Sequence, residues 1–87
     1  MIYTLKDLRS KSFETNLEKN PCASGDKPCV LCGMPIQAKN FHKVWWVNVD
    51  DDEFVREPYG TPHPVGKNCA KMNPMLYSYL RKIKKNS

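Results

Sequence analysis

A chain of 87 residues has room for one domain and only a modest core, so its fold is expected to need a staple such as a metal or a disulfide. Fourteen lysines and arginines against nine acids give a net charge of +5, and no apolar run approaches the length of a membrane span, which argues against a membrane protein. The opening "MIYTLKDLRS" is interrupted by Lys6, Asp7 and Arg9 and does not read as a secretory leader. The expected setting is therefore a reducing cytoplasm, where paired cysteines are metal ligands more often than disulfides.

Residues 4–19 read as a helix, with Thr4 as N-cap and Asp7 as its capping-box partner; Leu5, Leu8, Phe13 and Leu17 form an imperfect apolar stripe, and "SKS" is a place where the helix can break. "NPCASGDKP" is rich in turn formers and reads as a loop. "PCVLCG" follows, then "HKVWWVNV" (residues 42–49) as a strand, "DDDE" as an acidic turn and "EFVREPY" as the returning strand of a hairpin. "GTPHPVG" reads as a stiff loop around His63. Helix is expected from about Lys67, with a second start at Pro74 capped by Asn73, and with Leu76, Leu80 and Ile83 as the apolar stripe of the last helix.

Cys29 and Cys32 have the spacing of a zinc knuckle, and Gly33 suits its tight turn. Cys69 lies at the start of the next helix, where an anionic sulfur is favoured. Knuckle, hairpin and helix-borne cysteine in that order predict an α+β fold: a small zinc-stabilised, treble-clef-like domain with a β-hairpin between knuckle and C-terminal helix, plus an N-terminal helix. The divisions are 1–20 for the N-terminal helix, 28–73 for the zinc module and 74–87 for a basic C-terminal helix. One structural Zn2+ needs a fourth ligand. His63, held between Pro62 and Pro64 six residues before Cys69, is the preferred candidate; Cys22 is the alternative, and His42 a further one.

Catalysis is not expected. "PV" follows His63 where a zinc deaminase has its glutamate, two histidines are too few for a metal nuclease that also needs a base, and there is no phosphate-binding glycine loop or Ser–His–Asp pattern. No small-molecule substrate is implied. A thioredoxin-like redox pair would need a βαβ setting that is not visible.

"CVLCGMPI", the strand "VWWVNV" and "HPVGKNCAK" together resemble a group of small zinc-ribbon-like proteins of phages, plasmids and bacteria, over roughly residues 28–73. The resemblance implies a cytoplasmic, metal-binding, non-enzymatic module of mobile-element origin. It carries over Cys29, Cys32 and Cys69 as ligands and leaves the place of His63 open.

Two kinds of partner follow from the residues. Positions 67–87 hold six bases (Lys67, Lys71, Arg81, Lys82, Lys84 and Lys85) and no acid, whereas the first 66 residues have a net charge of −1. Such a segment can neutralise phosphates of DNA or RNA, with Tyr77, Tyr79 or a tryptophan stacking on bases. Alternatively, Trp45 and Trp46 point to opposite faces of one strand, and whichever stays outside the core can anchor a host protein beside the acidic turn.

Overall fold

The computed structural model describes residues 4–83. Helix α1 (Leu5–Leu8) begins with the expected capping box: Asp7 N–H donates to Thr4 Oγ1 and Thr4 N–H to Asp7 Oδ2, each at 3.2 Å. The hydrogen bonds from Thr4 hold the Asp7 carboxyl below the usual carboxylate range. The helix then breaks over residues 9–12, which include the "SKS" where a break was expected, and α2 (Phe13–Lys19) follows. Serines cause the break: Ser10 Oγ accepts from Ser12 N–H at 3.1 Å, a local turn that competes with helix.

Short strands β1 (Lys27–Pro28) and β2 (Pro35–Ile36) pair antiparallel and frame the knuckle. A 3₁₀ helix (Ala38–Lys43) leads into β3 (Trp45–Asp50), which forms the expected hairpin with β4 (Glu53–Val55). Asp51 and Asp52 make a two-residue turn with φ of 47° and 70°, the all-positive geometry that matches strand twist. The turn also serves α1: Asp52 accepts from Leu5 N–H at its carbonyl (2.7 Å) and from Lys6 N–H at its carboxylate (3.2 Å).

The stiff loop expected around His63 is instead a strand, β5 (Thr61–Val65), paired antiparallel with β3. Its prolines are compatible with this because β5 is an edge of the sheet, whose order is β4-β3-β5. Pro62 and Pro64 fall at the positions whose backbone faces away from β3, so the missing N–H groups cost no ladder bond. The outward carbonyl of Pro64 accepts from Val30 N–H at 2.9 Å, which seats the knuckle on this edge.

Helix α3 (Lys67–Met72) ends at Asn73, and Pro74–Leu76 is a single 3₁₀ turn. The C-terminal helix expected over 74–87 does not extend through the described part of that range. Arg81 exchanges both backbone hydrogen bonds with Trp46, at 2.7 and 2.9 Å, and so continues the β4 edge beyond Val55. Trp46 lies past the end of β4, and the returning chain satisfies backbone groups that would otherwise lack a partner. Leu76, fully buried, pins the turn that makes the return possible. One core results, in which Leu31, Val47, Val65 and Leu76 are at most 2% exposed.

Candidate metal centre

Cys29 follows β1, Cys32 closes the knuckle turn and Cys69 lies in α3; their sulfur atoms all lie within 4.8 Å of one another. Sulfurs about 3.8 Å apart would surround a tetrahedral zinc at its usual bond length, so the three thiols have the spacing of a metal-binding group. All four cysteines are free thiols.

The knuckle is held by atoms from distant parts of the chain. Within it, Gly33 N–H donates to the Cys29 carbonyl at 2.9 Å and Cys29 N–H to the Met34 carbonyl at 2.8 Å. Gly33 has φ +80°, and a Cβ there would lie 2.6 Å from the Phe13 carbonyl oxygen, so only glycine fits between the knuckle and α2. The next three carbonyls are capped by the N-terminal arm. Arg9 Nε donates to Val30 at 3.1 Å, Ser10 N–H to Leu31 at 2.8 Å and Asn16 Nδ2 to Cys32 at 2.7 Å. Val30 and Leu31 are buried, and unpartnered carbonyls there would be costly. Sequence reading gave the arm no part in the site; no local pattern announces contacts that span about twenty residues.

Gly66 N–H, at the junction of β5 and α3, donates to Cys29 Sγ at 3.3 Å, and the backbone of Met34 hydrogen-bonds the Cys32 thiol. On the other side Asn73 Nδ2 donates to the Cys69 carbonyl at 2.7 Å and ends α3.

Burial raises the Cys32 and Cys69 thiols above the ordinary cysteine range, and the neighbouring Cys29 raises both further. Three thiolates so close repel one another. A divalent cation among them reverses the sign of that interaction and favours the deprotonated forms. Cys32 and Cys69 are half-exposed and line a cleft of about 330 Å3 with Ser10, Asn68 and Asn73, which gives an ion access.

The candidates for a fourth ligand are elsewhere. His63 pairs with Val47 in the sheet and lines a different cleft, with Arg9 and Lys27. Its pKa is lowered, first by burial and then by those two cations. Strand pairing fixes its direction, and the stiff loop expected to hold it near Cys69 is strand β5 instead. Cys22 and His42 are half-buried and likewise outside the thiol group.

The basic and aromatic candidates divide. Arg81 is committed: its Nε pairs with Glu57 and its Nη2 donates to Asn48 Oδ1 at 3.1 Å. Trp46 is 5% exposed, with Nε1 donating to the Phe41 carbonyl at 2.9 Å and Phe41 edge-on to its ring, so it is a core residue and not an anchor. Trp45 is half-buried. It lines a cleft of about 280 Å3 with Ala70, Lys71, Tyr77 and Leu80, and Lys82 Nζ lies 5.0 Å above its ring. Tyr79 packs on Phe54 in the core. Lys67 is exposed at the start of α3; Lys84 and Lys85 lie outside the described residues.

No family model matches the chain, and no curated protein or solved structure matches it. Among the described residues, no helix is long and apolar enough to cross a membrane.

Proposed function

We propose that this chain is a small zinc-stabilised module of treble-clef-like order that binds single-stranded DNA or RNA. Zinc held by Cys29, Cys32 and Cys69 is structural in this reading. The lining of the cleft beside Cys32 and Cys69 contains no acid or histidine that could act as a base. The observation that carries the nucleic-acid reading is the cleft around Trp45. Exposed Tyr77 and half-buried Trp45 offer ring faces, while Lys71 and Lys82 bring positive charge to the same place. Bases stack on such rings with little sequence preference, and the lysines take the phosphates. A cytoplasmic, mobile-element protein would fit this role.

The test is a titration of the zinc-loaded protein with a short single-stranded oligonucleotide, followed by tryptophan fluorescence. Quenching of Trp45 and steep weakening with salt are expected. Tyr77→Ala should lower affinity roughly 5- to 100-fold, and Lys71→Gln should reduce the salt slope by about one. Unchanged fluorescence, with no salt-dependent association, removes this reading.

One observation favours a second reading. Tyr77, at the Trp45 cleft, and Met72, at the cleft beside Cys32 and Cys69, are 59% and 78% exposed, and exposed apolar side chains of this kind suit a protein partner. Salt-tolerant association with a protein, lost in Met72→Ser, would favour that alternative.

A further inference from the structure

A third cleft, of about 290 Å3, lies where the N-terminal arm meets the β5 edge. Its walls are apolar, including Phe13, Val30 and Pro64, and three nitrogen-bearing side chains reach it from three parts of the fold: Arg9 from the break between α1 and α2, Lys27 from β1 and His63 from β5. No acid lines it.

Arg9 is held in place. Its Nε donates to the Val30 carbonyl, and its guanidinium lies 3.6 Å over the Phe13 ring. Among the described residues its Nη groups make no hydrogen bond, and neither Arg9 nor Lys27 is in an ion pair; the one salt bridge joins Arg81 to Glu57. A half-buried guanidinium with its direction fixed and two Nη groups free is ready to grip two oxygens of an anion. The pKa of His63 is lowered, first by burial and then by the charges of Lys27 and Arg9.

We propose that this cleft binds a phosphate group, with Arg9 and Lys27 as its ionic partners and the His63 ring as a further donor. Donors arriving from three directions suit a tetrahedral oxyanion better than a planar carboxylate, which the arginine fork alone would satisfy. The apolar walls strengthen each of these contacts. The phosphate is either free, as inorganic phosphate or a phosphomonoester, or part of a nucleic-acid backbone. The site does not depend on stacking at Trp45.

The chain has two histidines, so the ring signals of His63 can be read by NMR on the full zinc-loaded protein with His42 as internal control. Inorganic phosphate is titrated at fixed pH and ionic strength, with sodium chloride as the balancing salt. The expected result is a saturable shift of the His63 ring and none of His42. Lys27→Gln, at an exposed position that leaves the fold intact, should weaken binding by about fivefold or more. Arg9→Lys, which keeps the charge and loses the fork, should weaken it further.

A second titration with a single-stranded oligonucleotide distinguishes the sources. A His63 shift with the same Lys27→Gln sensitivity assigns the cleft to backbone phosphate, whereas a shift with inorganic phosphate alone assigns it to a free one. A His63 ring that stays still in both titrations, or moves equally in Lys27→Gln, overturns the proposal. Because Trp45 fluorescence and the His63 ring are separate signals, loss of one does not imply loss of the other.

Discussion

The two edges of the three-stranded sheet are closed in opposite ways. At the β5 edge, prolines remove outward donors, the Pro64 carbonyl takes Val30 N–H, and two residues later Gly66 N–H reaches the Cys29 sulfur. That edge is tied to the thiol group. At the other edge β4 stops at Val55, and Arg81 completes the pairing with its own backbone while its side chain bridges Glu57 and Asn48. This closure uses only ordinary polar contacts. A small domain thus has one side tied to the thiol group and one side that does not touch it, and the two should fail separately.

The largest expected effect comes from the thiol side. If the thiol group holds zinc as proposed, Cys69→Ser removes a ligand, and because metal binding energy is then folding energy, the cooperative thermal transition should vanish or fall far in temperature. Calorimetry with and without chelator checks this; a transition insensitive to both would break the comparison. Acid should act in the same way, since each thiolate ligand must lose a proton. Apparent metal affinity should fall by up to about three log units per pH unit below the thiol range, measured by competition with a chromophoric chelator.

Gly33→Ala comes next. Left-handed backbone costs about 1–3 kcal/mol for a non-glycine residue, and the 2.6 Å approach to the Phe13 carbonyl adds to that cost. Denaturant titration should show the loss, together with weaker metal retention. Arg81→Ala should cost about 1–3 kcal/mol by leaving buried Asn48 Oδ1 without its donor, while metal affinity stays unchanged. That pairing of results is the sharpest test of separate edges; a parallel fall in metal affinity would show that the edges are coupled. Lys82→Gln is the smallest change, within about 0.5 kcal/mol in stability, but it should shift Trp45 fluorescence because the ammonium leaves the ring.

What the sequence disclosed was local. The Thr4–Asp7 capping box, the Cys29–Cys32 spacing, the Asp51–Asp52 turn and the start of α3 are each decided within a few residues, and each is where it was expected. What it concealed depends on neighbours far along the chain. "TPHPV" reads as loop by composition and is strand only because the backbone of its prolines faces away from β3, on the outer side of β5. Leu76, Leu80 and Ile83 have helical spacing, yet the chain returns to the sheet because the Trp46 backbone needs a partner. His63 lies close to Cys69 in sequence, and strand pairing carries it to another cleft. The same separation hid Arg9, Ser10 and Asn16 as the residues that cap the knuckle.

Those three caps have a consequence for how the protein reports its own state. Residues of the N-terminal arm cap the knuckle carbonyls, so loss of an ion from the thiol group should be felt there as release of the arm. The Ser10 amide, with its partner on Leu31, should exchange slowly with solvent in the loaded protein and quickly after chelation. A protease that cuts in residues 9–12 would then discriminate loaded from empty molecules.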